Sequence, residues 1–206
     1  MDNRPEIKTV KVGMLDTNCY ILSDNPPAGG AVVIDPGDEV DKILRELGEL
    51  KLEKIILTHL HFDHVIAVRE LKVKTGAKVF CHKADLEILD EALLAKNEID
   101  GFFGRDARPC VSTFKIIETP GHTPGGICLY APVGAYCDTP ILFSGDTIFK
   151  GSIGVTHYKG GNFGKIKDSI EKKLLALPDD TMVYPGHGEA FLLGDEKEEI
   201  KNVLIK

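Results

Sequence analysis

The chain reads as an α/β protein, and three observations point to that class. Short apolar or alternating runs recur at residues 7–12, 18–23, 31–34, 54–57, 77–81, 113–118, 127–130, 141–143 and 181–184, the spacing of strands. Between them lie stretches with apolar residues at helical intervals, such as Val40, Ile43, Leu44 and Leu47. No linker or internal repeat interrupts this alternation, so residues 1–206 are expected to form one domain.

Composition narrows the functional class. Hydrophobic residues make up 43%, enough for a substantial core, and charged residues make up 28%, an ordinary share for a soluble protein. Net charge is 25 − 32 = −7, which argues against a nucleic-acid partner. The sequence contains no apolar run of membrane-spanning length and no signal-peptide core in residues 1–6, so neither a membrane nor an export route is expected. The five cysteines, Cys19, Cys81, Cys110, Cys128 and Cys137, are odd in number and form no CxxC pair. They are expected to be structural thiols in a reduced, cytoplasmic setting.

The elements follow in order. Residues 7–12 and 18–23 alternate as a pair of strands, and 24–30, rich in Pro and Gly, is a turn. The buried strand 31–34 ends in Asp35-Pro36-Gly37, where the acid either forms the turn or supports a ligating histidine from behind. Residues 39–50 are an amphipathic helix. The apolar run 54–57 then leads into Thr58-His59-Leu60-His61-Phe62-Asp63-His64, and a helix over 65–73 closes at Gly76. A strand over 77–81 is followed by His82, which is read as structural, and by a helix over 85–94. Residues 97–109 read as a loop, with Gly101-Phe102-Phe103-Gly104 exposing aromatics beside a pocket. Strand 113–118 runs into Thr119-Pro120-Gly121-His122-Thr123-Pro124-Gly125-Gly126, a tight loop presenting His122. Two further strands follow, the second ending in Ser144-Gly145-Asp146. Glycines between 151 and 164 mark a flexible loop. A helix over 163–177, a last strand ending in Pro185-Gly186-His187-Gly188, and a helix over 196–205 complete the chain.

The stretch 58–64 carries the chemistry. Extended residues alternate faces, so His59 and His61 point the same way and can grip one ion. Asp63 and His64 fall where the chain must turn and can face a second; Asp63 alone would otherwise be read as a helix N-cap. His122, Asp146 and His187 also lie just beyond strand ends, and in layered α/β folds such ends share one rim. Five of the seven histidines belong to this set. A single shared metal site explains them better than separate structural roles. Spacing alone does not pair His122 or His187 with a particular ion.

These motifs, together with Ile34-Asp35-Pro36-Gly37 and Phe143-Ser144-Gly145-Asp146-Thr147, resemble in type and order those of the metallo-β-lactamase superfamily over residues 10–190. Their wording is most similar to glyoxalase II, the hydroxyacylglutathione hydrolases. The resemblance implies an αββα sandwich with a binuclear site at one edge of its two sheets. It assigns His59, His61 and His122 to one metal, Asp63, His64 and His187 to the other, and Asp146 to both. Asp63 and Asp146 become the catalytic carboxylates, and Asp35 a support behind the ligands. The implied reaction is hydrolysis of a small acyl thioester by a metal-bridging hydroxide. A thiol leaving group, with a pKa of about 8.5, needs no dedicated acid. The metals are expected to be two divalent ions, zinc first, with iron or manganese suited to the same donors. The chain would act as a monomer or homodimer on a small-molecule substrate.

Two departures qualify the substrate. Only residues 190–206 follow the last motif, too few for the helical C-terminal domain of the glutathione enzymes. Val155 stands where relatives usually place Lys or Arg, and His157 where they place Tyr or Asp. Both are candidate substrate-binding positions, and the lost cation weakens the case for a glutathione conjugate. A mononuclear-iron persulfide dioxygenase, using the counterparts of His59, His122 and Asp146, is one rival. A lactone or β-lactam hydrolase is a second. A metal-binding protein without catalysis is a third, disfavoured by the complete ligand set.

Overall fold

A computed structural model of the chain describes residues 6–23, 30–103, 114–134 and 138–205. The first sheet comprises β1 (Glu6–Val12), β2 (Thr17–Ser23), β3 (Ala31–Ile34), β4 (Leu52–Ile56), β5 (Lys78–His82) and β6 (Gly101–Phe103), in that spatial order. β1 to β3 pair antiparallel and β3 to β6 pair parallel. Parallel pairing requires crossovers. α1 (Val40–Leu47) connects β3 to β4, and the short α2 (Phe62–Val65) and α3 (Val68–Thr75) connect β4 to β5.

The second sheet begins with β7 (Lys115–Glu118), β8 (Ile127–Ala131) and β9 (Ile141–Gly145). A small hairpin of β10 (Ile148–Phe149) and β11 (Ser152–Ile153) precedes α4 (Phe163–Ser169). β12 (Met182–Pro185), β13 (Phe191–Leu192) and α5 (Leu193–Ile205) follow, and the sheet order is β13-β12-β9-β8-β7.

Side-chain alternation sorts these elements into layers. Val33, Ile55 and Val79 pack with Ile43, Leu47, Val68 and Leu71 on the helical side of the first sheet. Their neighbours Val32, Ile34 and Ile56 face the other way and meet Leu129 and Phe143 of the second sheet. Cys128, Leu142 and Val183 then cover the outer face of that sheet against Ile166, Ile170 and Ile200. Central strands such as β2, β3 and β9 are thus buried on both faces, which explains their nearly continuous apolar runs, whereas the edge strands β1 and β7 keep exposed positions. The result is the expected helix–sheet–sheet–helix sandwich.

Several expected elements differ in detail. The helix expected over 85–94 is a 3₁₀ turn, Lys83–Glu87, followed by irregular turns. Leu86, Ile88, Leu89 and Leu93 pack on the first core without helical geometry. The loop expected over 97–109 contains β6, where Phe103 is 2% exposed and Phe102 39% exposed. Phe103 therefore serves the core instead of a pocket; residues 104–109 lie outside the described set. The helix expected over 65–73 is broken between α2 and α3, and the helix expected over 163–177 passes into a π-helical turn at Ile170–Leu174. Cys19, Cys81 and Cys128 are buried free thiols, and Cys110 and Cys137 lie outside the described residues. Among the described residues no helix is long and apolar enough to cross a membrane.

Candidate metal centre

The strand ends converge as the parallel topology requires. β3, β4, β9 and β12 run into Asp35, His59, Asp146 and His187, and β7 delivers His122 to the same rim. Donor atoms of His59, His61 and His122 lie within 4.8 Å of one another, and so do those of Asp63, His64 and His187. Asp146 stands between the two groupings. Its Oδ2 is 3.5 Å from His122 Nε2, 3.6 Å from His187 Nε2 and 4.0 Å from His59 Nε2; its Oδ1 is 3.6 Å from His64 Nε2. Asp63 Oδ2 is 3.2 Å from His187 Nε2 and 3.5 Å from His64 Nε2. The structure therefore brings together all seven residues singled out as metal-ligating.

Glycine permits this closeness. A Cβ at Gly186 would strike Asp146 Oδ1 and come within 2.9 Å of His64 Cε1. A Cβ at Gly154 would strike the Asp146 carbonyl.

His59, His122 and His187 are steered through their second nitrogen. His122 Nδ1 lies 2.7 Å from the Val155 carbonyl and His187 Nδ1 3.1 Å from the Leu15 carbonyl, so both donate there and leave Nε2 free to ligate. Thr58 Oγ1 donates to Asp35 Oδ2 at 2.6 Å and can accept from His59 Nδ1 at 3.1 Å. Asp35 also accepts from Thr58 N at 2.7 Å and lies 3.1 Å from His64 Nδ1. Asp35 is buried with φ 50°, a left-handed conformation uncommon for a residue with a side chain. A strained backbone held in place by such contacts is common at functional sites.

The inner atoms test whether a metal fits. His59 Nε2, His64 Nε2, His122 Nε2 and Asp146 Oδ1 are buried and meet no hydrogen-bond partner among the described residues. A buried polar atom left unpaired costs about 1–3 kcal/mol. Imidazole nitrogens and carboxylate oxygens converging at these distances are the donor set of a divalent metal centre, and the residues fit one.

Electrostatics divides the groupings. Burial, reinforced by repulsion from neighbouring histidines, pushes His61 and His122 down to about 4 and His59 well below its ordinary range. Burial also opposes the charge on His64, but Asp146, Asp35 and Asp63 outweigh it and hold His64 up at about 9. His187 is likewise raised, the Asp63 hydrogen bond and Asp146 overcoming burial. Burial would raise Asp63, yet the His187 hydrogen bond and His64 hold it well below the usual carboxylate range. Burial dominates at Asp146 and raises it.

Other residues escaped sequence reasoning. Asp85 is 1% exposed and accepts from Leu60 N at 3.1 Å, Thr123 Oγ1 at 2.9 Å and Gly125 N at 2.5 Å. It ties the loop of His59 and His61 to the loop of His122. Burial outweighs those donors and pushes its carboxyl up to about 6. Asn18 and Tyr20 clasp the His187 turn: Asn18 Nδ2 donates to the carbonyls of Pro185 (2.9 Å) and Gly188 (3.0 Å), and Tyr20 Oη to that of Pro185 (2.6 Å). Thr17 Oγ1 donates to Asp63 Oδ2 at 3.1 Å. Only Asp85, three residues past the strand-end His82, lay near a recognisable signal. His82 itself stands outside the metal groupings found among the described residues. It accepts from Ala84 N at 3.2 Å and lies 3.7 Å from Glu118.

A cleft of ≈ 410 Å³ opens onto the centre. His61, Asp63, His122, Asp146 and His187 form its floor, and Phe62, Ile88, Val155, Tyr158 and Lys159 much of its wall. Val155 lines the cleft. His157 does not: it is exposed, its ring 4.2 Å from Tyr158, and Tyr158 takes the wall position with its ring 5.7 Å from His61.

Comparison with known proteins agrees with this geometry. The family model described as "Metallo-beta-lactamase superfamily" matches residues 12–187. The hydroxyacylglutathione hydrolase GloC of Haemophilus influenzae is 31% identical over 207 residues, covering 93% of this chain and 94% of its own. The crystal structure of BLEG-1 B3 metallo-beta-lactamase is similar with a TM-score of 0.81 at 30% identity, over 94% of this chain and 97% of that one. The di-iron-bound form of TTHA1623 is similar with a TM-score of 0.79 at 34% identity, over 94% and 98%.

Proposed function

The chain belongs to the metallo-beta-lactamase superfamily, and on that premise we propose that it is a binuclear metal-dependent hydrolase of small acyl thioesters, of the hydroxyacylglutathione hydrolase type. The observation that carries this reading is the pair of three-donor groupings with Asp146 between them. His59, His61 and His122 would hold one divalent ion, Asp63, His64 and His187 the other, and Asp146 both. Ions so held supply Lewis acidity toward an acyl oxygen and lower the pKa of bound water from about 15.7 toward about 7.

The protein's own part is positioning. Asp146 sets the two groupings against each other, and Thr58, Asp35 and the Val155 carbonyl lock ring orientations. Phe62, Ile88 and Tyr158 give the acyl compound an apolar wall. A thiolate, with its conjugate acid near about 8.5, departs without a protein acid. Zinc is the proposed metal; the same donors suit iron, which the di-iron relative TTHA1623 binds.

Elemental analysis of metal-replete protein, with steady-state assays on S-lactoylglutathione, a persulfide and a β-lactam, tests this proposal. Thioester turnover with weak saturation is expected, since Val155 offers no cation to glutathione. A fully metallated sample that hydrolyses no thioester would sink the reading. β-Lactam hydrolysis is the second reading, favoured by the similarity to BLEG-1 over 94% of the chain.

A further inference from the structure

The cleft wall carries one lysine, and the metal-centred chemistry does not use it. Lys159 lines the cleft beside Tyr158 and Val155, and it is the one Lys or Arg among the lining residues. Lys150, in the hairpin turn before β11, is already paired with Glu189 at 3.3 Å. Lys159 is paired with no carboxylate among the described residues. In a chain of net charge −7, an unpaired cation facing a cleft is a local exception to the surrounding field.

The segment bearing it is fixed. Gly161 N donates to the Tyr158 carbonyl at 2.9 Å, closing a turn around Lys159 and Gly160, and Asn162 N donates to the Gly121 carbonyl at 2.7 Å. Gly160 has φ 83°, and a Cβ there would lie 2.6 Å from Pro124 Cγ and 3.2 Å from Ile88 Cγ2. The turn is therefore seated on the loop that presents His122. The Lys159 backbone is placed relative to the metal centre, while its flexible stem leaves the ammonium group free to reach a ligand.

We propose that Lys159 is the anion-recognition residue of this cleft, and that the preferred substrates are acyl thioesters with an apolar stretch and a single carboxylate remote from the scissile carbonyl. The apolar stretch would lie along Phe62, Ile88 and Tyr158, and the carboxylate would meet Lys159. One cation at this position selects for one anionic group, and it does so from a site four residues beyond Val155. This inference rests on the acyl-hydrolase reading above.

The test compares carboxylates with their methyl esters in metal-loaded protein. One pair, S-acetyl-3-mercaptopropionate and its methyl ester, carries the charge on the thiol side. The other, the S-ethyl monothioester of succinate and its methyl ester, carries it on the acyl side. Metal charge itself attracts carboxylates, so the diagnostic quantity is the change in the acid-to-ester ratio of kcat/KM caused by the variant. K159Q is expected to lower that ratio roughly three- to fivefold in at least one pair, mainly through KM, the range of a partly solvated ion pair. K159R should retain the ratio, and K159E should lower it further. Calorimetry with the non-hydrolysable thioether analogues of the same pairs reads Lys159 without catalysis. A carboxylate preference in binding that K159Q removes, with no thioester turnover, would uphold the anion site and reject only the thioesterase reading. Ratios and binding preferences unchanged by K159Q and K159E would overturn the assignment.

Discussion

His59, His61 and His122 lie in surroundings that keep them neutral, whereas His64 and His187 lie against carboxylates that favour their protonated forms. The first grouping is a set of bare imidazoles whose inner nitrogens stay open. The second is, without metal, a cluster of opposite charges: His187 pairs with Asp63 at 3.2 Å, and His64 lies within 3.6 Å of Asp63 and Asp146. A metal entering the first grouping displaces little, but one entering the second must displace protons. The two halves of one site should thus answer differently to acid.

The largest expected effect removes what the halves share. Asp146→Ala should lower thioester kcat/KM by at least about 10³-fold, the several kcal/mol that disturbed metal catalysis implies. It should also reduce the metal content of both halves. Loss from one half alone would show that Asp146 belongs to that half.

Metal content should then separate the halves by pH. Protons compete with metal at His64 and His187 across the neutral range, but at His61 and His122 only near pH 4. Elemental analysis should give about two ions per chain at pH 8 and about one near pH 5.5. A firm value near one at both pH values, unmoved by added metal, would favour the mononuclear dioxygenase reading.

Metal-free protein offers the same contrast as stability. His64, raised to about 9 from 6.5, contributes stabilisation that is complete below about 6.5 and lost as pH rises through about 9. His61 and His122, lowered to about 4, contribute stabilisation that is present above about 6.5 and lost as pH falls toward 4. Thermal melts of metal-free protein should peak near pH 6.5 and decline on both sides, by an amount on the order of 1–3 kcal/mol. A flat profile would mean that the two halves do not differ in charge.

Two smaller changes sharpen the boundary of the site. Val155→Arg should lower KM for S-lactoylglutathione roughly three- to tenfold, and raise kcat less, because it adds binding shared by ground and transition states. A wild-type KM already in the low micromolar range would show that glutathione is held by other contacts. His82→Ala should cost only the roughly 0.5–1.5 kcal/mol of one hydrogen bond and leave metal content at its wild-type value. Damage equal to that of Asp146→Ala would place His82 in the site.

How much of this was legible in sequence depended on how far apart the interacting residues lie. His59, His61, Asp63 and His64 were readable because strand alternation and a forced turn act within a few residues. His122, Asp146 and His187 were readable because each ends an apolar run, and parallel topology brings such ends together. Asp85 was not: its value comes from Leu60, Thr123 and Gly125, 25 to 40 residues away. The same contacts explain the missing helix after it. Pinning the Asp85 carboxylate to two loops fixes the chain in a 3₁₀ turn, and the leucines that follow find burial without helical geometry. β6 was hidden because it has three residues, too few to show alternation. Lys159 was hidden because its glycine-rich surroundings suggest freedom, whereas Gly160 and Gly161 are there to let the turn sit against Pro124 and Thr156.

The sheet order has one more consequence. Among the described residues, all strands of the first sheet come from residues before 104 and all strands of the second from residues after 114. Asp63 and His64 belong to the first stretch and His187 to the second; His59 and His61 to the first and His122 to the second. Neither contiguous half of the chain holds either of the two proposed donor sets complete. Metal occupancy is therefore a reporter of assembly: two separately expressed halves would each remain unable to form the full site, and their correct docking would be readable as a gain of bound metal before any substrate is added.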